Sequence, residues 1–157
     1  MSNLGSNLND LYREIILDHY RSPRNRGELE SPPAIRVEGF NPLCGDEIVV
    51  YLDVEGDVLK NIKMTGSGCS ISQSSASLMS AAVKGKSLEQ VRATIATFKQ
   101  LMTVQEATLA HDGEAPVLDV RALGELAALQ GVIKFPVRIK CATLSWNTLV
   151  QGLETLN

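Results

Sequence analysis

The sequence has few of the residues that nucleic-acid-binding proteins depend on. Only 4% of its 157 residues are aromatic, and acidic residues outnumber basic ones by 18 to 15. A net charge of −3 gives no general attraction for phosphate backbones, and so few rings offer little surface for base stacking. The composition therefore predicts no nucleic-acid partner.

Long apolar runs are also missing. No stretch of the sequence approaches the roughly 20 consecutive apolar residues that a membrane-spanning helix needs. The opening segment, MSNLGSNLNDLYRE, lacks the basic and apolar parts of a signal peptide. The sequence therefore predicts no membrane interaction and a cytoplasmic location.

The chain contains only three cysteines, so they cannot all pair with one another. A reducing cytosol would keep them as thiols, which points to metal binding or thiol chemistry rather than to a disulfide framework. The length and the apolar fraction of 44% suit one substantial core. We expect a single domain spanning residues 1–157.

Hydrophobic periodicity changes from helix to strand and back to helix along the chain. Helical spacing runs from Leu8 to Tyr20, and a two-residue period follows around Ile35 and in the segments EIVVYLDV and VLKNIKMT. Helical spacing returns after GSGC, after Ser87 and after Pro136. This order predicts an α+β fold, with a small three-stranded antiparallel sheet and helices packed on one of its faces. The mixed stretch around residues 104–119 predicts an exposed excursion.

The local sequences around the cysteines favour a metal site. Cys44 lies in NPLCGDE, where Gly45 eases a turn and Asp46 can face the same ion as the thiolate. Cys69 follows a glycine-rich turn, and Cys141 lies near the start of the last helix, so we expect helix N-terminal amides to favour both thiolates. The alternative for each cysteine is burial as a small hydrophobic side chain.

Zinc suits this group of donors, because three thiolates and one carboxylate supply the four ligands of a tetrahedral site. The spacing differs from that of a zinc finger, since no CxxC pair occurs and the cysteines come from three distant segments. His19 is expected to have a structural role at the end of the first helix, and His111 to be a solvated loop residue.

Three segments, NPLCGDEI, GSGCSISQSSASLM and RIKCATLSW, resemble in order and type the cysteine motifs of the IscU/SufU (NifU N-terminal-like) family of iron–sulfur cluster assembly proteins. LYREIILDHYRSPRNRG is similar to that family's opening helix. Lys140 stands where scaffold members have a histidine, and an insertion around 104–119 separates the second and third cysteines. Both features resemble the SufU branch.

This resemblance implies a SufE/IscU-like fold and a zinc-dependent sulfurtransferase that accepts persulfide sulfur from a PLP-dependent cysteine desulfurase of the SufS type. A downstream iron–sulfur scaffold would receive the sulfur. The implied zinc ligands are Cys44, Asp46, Cys69 and Cys141. Cys44 is the implied sulfur acceptor, with Cys141 as the other candidate, and Arg138 would lie near the partner surface.

Two other functions stay open on the sequence. The first is an IscU-type scaffold that assembles a [2Fe–2S] cluster, in which case the cofactor is an iron–sulfur cluster instead of zinc. The second is a non-catalytic interaction module that zinc stabilises. Cysteine-dependent hydrolysis is disfavoured, because the sequence has only two histidines and neither accompanies a cysteine in a nucleophile motif.

Overall fold

Helices and strands follow one another in the order that the periodicity predicts. The computed structural model describes residues 4–31, 33–43, 45–110 and 124–156, and for residues 4–10, 104–110, 131, 133 and 134 it describes the backbone alone. The elements are α1 (Leu4–Arg21), β1 (Ile35–Asn41), β2 (Asp46–Glu55), β3 (Val58–Ser67), α2 (Ser70–Val83), α3 (Leu88–Ala110), a 3₁₀ segment (Gly124–Lys134) and α4 (Pro136–Glu154).

The three strands form one antiparallel sheet in the order β1-β2-β3. Alternate residues of β2 point toward the helices, and Ile48, Val50 and Leu52 are buried there. Because side chains alternate across a strand, Glu47 faces the opposite side of the sheet and is exposed. The predicted α+β fold, with helices packed against a three-stranded antiparallel sheet, is confirmed.

One strand departs from the expected register. The two-residue period places Val58 on the inner face with Ile62 and Met64, but Leu59 is fully buried and Val58 is only half-buried. The pairing between β2 and β3 shifts at Asp53 and Val54, where a bulge inserts an extra residue. A bulge exchanges the two faces of a strand beyond it, which explains the difference.

The helix boundaries follow local sequence signals. Ser87 and Gln90 form a reciprocal capping box at the start of α3, since each backbone N–H donates to the other's side chain at 3.1 Å. Helix α2 ends before Gly85, whose φ of 79° is readily adopted only by glycine. Pro136 is the first residue of α4, where its missing N–H costs nothing.

Helix α4 lies close against the sheet because glycines face it. A Cβ at Gly39 of β1 would collide with Thr148 Oγ1 of α4. On the other side of α4, Trp146 stacks on Phe98 of α3 with ring centroids 4.1 Å apart. Trp146 also donates its indole N–H to Ser75 Oγ of α2 at 3.1 Å, so α4 is fixed to the sheet and to two helices.

The region between α3 and α4 differs from the expectation. Helix α3 continues to Ala110, so residues 104–110 of the expected excursion have helical backbone, while residues 111–119, including His111, lie outside the described residues. A 3₁₀ segment, Gly124–Lys134, precedes α4. Among the described residues, no helix is long and apolar enough to cross a membrane.

Candidate metal centre

Three potential metal ligands from distant parts of the sequence meet at one end of the sheet. Asp46 is the first residue of β2, Cys69 precedes α2, and Cys141 lies in the second turn of α4. One ligand atom from each of the three lies within 4.8 Å of the other two. Asp46 and Cys141 are buried, and Cys69 is half-buried.

Cys44, the fourth expected ligand, lies outside the described residues. Its neighbours form a closed turn, because Gly45 N–H donates to the Asn41 carbonyl at 2.8 Å. Gly45 has a φ of 71°, as expected for a glycine that eases a turn at this point. The roles of Cys44 as a ligand and as the sulfur acceptor stay predictions.

The two oxygens of the Asp46 carboxylate lie in different environments. Oδ1 accepts the backbone N–H of Cys69 at 3.0 Å. Oδ2 is buried and has no hydrogen-bond partner among the described residues. A buried carboxylate oxygen without a partner is costly, and a cation beside it removes that cost. The unpaired oxygen beside two thiols therefore fits a bound metal ion.

The loop before α2 fits closely around this carboxylate. A Cβ at Gly68 would collide with Asp46 Oδ1 and with Ser72 Oγ, so only glycine allows the approach. Ser72 in turn donates its hydroxyl to the Cys69 carbonyl at 3.1 Å. The glycine-rich sequence before Cys69 therefore serves close packing around Asp46, in addition to making a turn.

The two described thiols do not both lie at helix amides, as the sequence suggested. Cys69 is the residue that caps α2, but its side chain makes no capping hydrogen bond. Cys141 lies inside α4, and its Sγ is 3.9 Å from the Val137 carbonyl oxygen of the preceding turn. Side chains on a helix tilt toward its N-terminus, which brings this sulfur back toward the end of β1 and Asp46.

The donor set matches the chemistry of zinc. Thiolate sulfur binds zinc at about 2.3 Å and carboxylate oxygen at about 2.0–2.2 Å, so donors around one ion lie roughly 3.5–3.8 Å apart. Donor atoms already within 4.8 Å need only a small contraction to reach that geometry. Asp46, Cys69 and Cys141 would supply three of four ligands, and zinc held there would keep the sulfurs as thiolates.

His19 lies elsewhere, buried between α1, α2 and the 3₁₀ segment. Its Nδ1 is 2.7 Å from Ser77 Oγ, and its Nε2 is 3.6 Å from a carboxylate oxygen of Glu125. Ser77 has no exposed surface, so this arrangement cannot present a nucleophile to a substrate. The expected structural role agrees with these contacts, although burial between helices rather than the dipole of α1 defines it.

Sequence reasoning missed one polar residue at the site. Asn41, the last residue of β1, is buried, and its side-chain nitrogen lies 3.9 Å from Cys141 Sγ. In the sequence, this residue stood out only as part of a turn before Pro42. Asn41 lies two residues after Gly39 and four after Val37, so the two-residue period of β1 places it on the same helix-facing side of the sheet, beside the site.

Comparison with known proteins supports the resemblance of the three cysteine motifs to the IscU/SufU family. The sequence model of the NifU-like N-terminal domain family matches residues 11–142. The zinc-dependent sulfurtransferase SufU of Bacillus subtilis is 44% identical over 94% of this chain and 92% of its own length. The scaffold protein IscU of Streptococcus pyogenes is 37% identical, over 95% of this chain and 86% of its own length.

Solved structures agree with these relatives. One crystal structure, of a hypothetical protein, has a TM-score of 0.78 and 37% identity, covering 93% of this chain and 98% of its own. The crystal structure of FiSufU from Fervidobacterium islandicum AW-1, described as an iron–sulfur cluster assembly scaffold protein for the SUF system, has a TM-score of 0.76 and 30% identity. The match covers 89% of this chain and 94% of that chain. The chain belongs to the NifU-like N-terminal domain family of iron–sulfur cluster assembly proteins, which includes SufU and IscU.

The family assignment made from the three cysteine motifs is thereby confirmed, including the similarity to SufU. A role in iron–sulfur cluster assembly follows from it. The cofactor expectation also agrees, because the chain has a candidate metal site of one carboxylate and two thiols and a relative named for its zinc dependence.

Proposed function

We propose that the protein is a zinc-dependent sulfurtransferase, which accepts persulfide sulfur from a PLP-dependent cysteine desulfurase of the SufS type and passes it to a downstream iron–sulfur scaffold. One observation supports this most directly. Asp46, Cys69 and Cys141 bring their donor atoms within 4.8 Å of one another, and the unpaired Asp46 oxygen lies there too. The 44% identity with a zinc-dependent sulfurtransferase supports the same activity.

Four residues are assigned to the metal in this proposal. Asp46, Cys69 and Cys141 converge, and Cys44 is added as the fourth ligand from its place in the sequence beside Gly45. Cys44 is also the proposed sulfur acceptor. The support is its place in the sequence between residues 42–43 and Gly45, which are exposed, whereas Cys141 is buried in a helix.

The transfer step is a thiol–persulfide exchange. The Cys44 thiolate attacks the terminal sulfur of the desulfurase persulfide, forming a new S–S bond while the S–S bond of the desulfurase breaks. The desulfurase cysteine leaves as a thiolate, and the proton of the persulfide stays on the transferred sulfur. The reaction conserves the number of disulfide-type bonds, so it needs no external oxidant or reductant.

The surface beside the site is suited to a protein partner. Leu43, Phe135 and Val137 belong to the segments that carry Cys44 and Cys141, and each leaves more than half of its surface exposed. Large apolar side chains grouped at a surface commonly mark protein contacts. Arg138 and Lys140 of the same helix are exposed as well. These features support docking of the desulfurase at this end of the sheet.

An IscU-type scaffold that assembles a [2Fe–2S] cluster is the second candidate. The 37% identity with IscU of Streptococcus pyogenes supports it, because that relative is named as a scaffold. Lys140 counts against it, since the position before Cys141 lacks the histidine that the scaffold branch is expected to use. The exposed lysine is a poor substitute, because an ammonium group donates hydrogen bonds and does not bind metal.

Two further statements rest on the sequence. We infer that residues 1–157 form a single IscU/SufU-like domain with an insertion around 104–119, and that the protein acts in the cytoplasm. Limited proteolysis tests the first, since cleavage of a single domain should be confined to the insertion and the chain ends.

The proposed activity is tested with the desulfurase, free cysteine and zinc-loaded protein. Wild type should stimulate conversion of cysteine to alanine by the desulfurase, and mass spectrometry should find the added sulfur on the peptide containing Cys44. Lysines and arginines separate the three cysteines, so tryptic peptides report each of them independently. Cys44→Ser should abolish stimulation, because serine is a far poorer sulfur nucleophile.

Ser70→Ala is the matched control for this assay, because Ser70 is exposed beside Cys69 and should leave stimulation unchanged. Added sulfur on Cys141 alone, with Cys44→Ser still active, would contradict the assignment of the acceptor. No added sulfur and no stimulation by wild type would leave only the zinc-stabilised interaction module.

A further inference from the structure

Asn41 contacts the candidate metal centre through Cys141. It is the last residue of β1 and pairs in register with Asp46, the first residue of β2. Only 6% of its surface is exposed. Its side-chain nitrogen, Nδ2, lies 3.9 Å from Cys141 Sγ, within reach of an N–H···S hydrogen bond.

The orientation of the Asn41 amide is fixed by the turn that follows it. Oδ1 accepts the backbone N–H of Leu43 at 3.2 Å. A flipped amide would bring its NH₂ group against that N–H, so the oxygen must face Leu43 and the nitrogen must face the sulfur. The Asn41 carbonyl also accepts Gly45 N–H, so the backbone holds the side chain in place.

A hydrogen bond to a thiolate changes how that sulfur behaves. The N–H draws electron density from the sulfur, so the sulfur donates less strongly to a metal and is a weaker nucleophile. Outer hydrogen bonds of this kind orient metal ligands and tune their electronic properties. Cys141 Sγ accepts a hydrogen bond from the side-chain amide of Asn41. Among the described residues, no amide group donates a hydrogen bond to Cys69 Sγ.

We propose that Asn41 is a positioning residue that donates an N–H···S hydrogen bond to the Cys141 thiolate and so keeps Cys141 as a retained metal ligand of low nucleophilicity. Sulfur is then accepted by another cysteine of the site. The inference rests on the proposed function, because it assigns different tasks to the cysteines of the same metal centre.

Cobalt(II) is the probe, since its thiolate charge-transfer absorption reports electron density on the ligand sulfurs. Two substitutions separate the contacts of Asn41. Asn41→Asp keeps an oxygen for Leu43 N–H but removes the N–H donor to sulfur, and Asn41→Leu removes both. We expect the charge-transfer absorption of both variants to shift to longer wavelength, because the sulfur regains electron density. Loss of the contact that orients Cys141 should outweigh the gain in donor strength, so cobalt affinity should fall about 10–100-fold.

Asn61→Asp and Asn61→Leu are the matched controls. Asn61 also accepts a backbone N–H through its Oδ1, from Ile62 at 2.9 Å, but it pairs with Asp53 far from the sulfurs. Neither control should move the absorption band. Circular dichroism establishes that each variant is folded. If Asn41→Leu does not fold, the absorption band of Asn41→Asp alone tests the hydrogen bond to Cys141.

An unshifted band in Asn41→Asp would overturn the inference and leave Asn41 with a role in the turn only. That outcome leaves the proposed function intact, because cobalt binding and desulfurase stimulation are measured separately. Failure of the wild type to show any thiolate-to-cobalt absorption would instead overturn the metal site, and the Asn41 inference with it.

Discussion

The backbone N–H of Cys69 donates a 3.0 Å hydrogen bond to Asp46 Oδ1, which joins the start of β2 to the start of α2. The second oxygen of the same carboxylate is buried without a partner among the described residues. Asp46 therefore has two tasks. One oxygen positions the loop that carries Cys69, and the other is available to a metal ion.

The first prediction separates these two tasks. Asp46→Asn keeps an oxygen for Cys69 N–H but removes the anionic donor, whereas Asp46→Ala removes both. Loss of an outer contact typically weakens metal binding about 10–100-fold, so loss of a ligand should weaken zinc binding by at least that factor in both variants. Competition with a chromophoric chelator measures it. Asp53→Asn, on the same strand but away from the sulfurs, is the control. Unchanged affinity in Asp46→Ala would mean that Asp46 is not a ligand.

The second prediction concerns removal of the metal. Without a cation, the buried Asp46 oxygen has no compensating partner among the described residues, and the buried Cys141 lies beside it. Zinc present at about 1,000 times its Kd adds roughly 4 kcal/mol to the free energy of unfolding, which corresponds to about 10 °C in Tm for a chain of this size. Calorimetry with and without chelator measures the shift. An identical melting curve after verified zinc loss would show that the site and the fold are not coupled.

The third prediction concerns Ser75, which connects α2 to the helix of Cys141. Its hydroxyl donates to the Ala142 carbonyl at 2.6 Å and accepts the Trp146 indole N–H. Ser75→Ala leaves both groups buried without this partner, so the free energy of unfolding should fall by about 1–3 kcal/mol. Denaturant titration measures the loss. Ser70→Ala on the exposed face of α2 should change little, and an equal effect of the two substitutions would contradict the prediction.

The fourth prediction concerns pH. Burial lowers the pKa of His19 below its usual value of 6.5, and Arg24 lowers it further, while Glu125 and Asp18 act in the opposite direction. The unfolded chain therefore takes up a proton near pH 6.5 that the folded chain does not, so the free energy of unfolding falls as the pH decreases below that value.

The substitution His19→Gln tests this pH dependence by removing the titrating group. The slope of unfolding free energy against pH, between about pH 7 and 5, should be smaller in the variant than in wild type. Both proteins carry the same metal site, so the difference in slope isolates His19. Equal slopes in denaturant titrations across this range would contradict the prediction.

Much of the fold could be predicted because its signals are local. The strand alternation around Val50, the Ser87 capping box and the Pro136 helix start each depend on neighbouring residues. The inversion of Val58 and Leu59 could not be predicted, because a bulge depends on how two strands pair. The extra residue lies in β3 between Leu59 and Asn61, and the sequence of β3 alone does not show which of its residues is left unpaired.

The candidate site was predictable to a similar degree. The cysteine motifs identify the thiols and Asp46, since their turn-rich surroundings are visible in the sequence. The contact between Asn41 and Cys141 spans 100 residues and is created by packing of α4 on the sheet. The tight fit of Gly68 against Asp46 likewise arises from tertiary packing. Contacts of this kind have no local signature.

The metal content of protein purified without air, together with its visible spectrum, tests the central claim most directly. A zinc-dependent sulfurtransferase should contain about one zinc per chain and no coloured cluster, because two thiols and a carboxylate lie close together and Cys44 is the predicted fourth ligand. Stoichiometric iron with sulfide-to-iron absorption would contradict the claim and favour the scaffold.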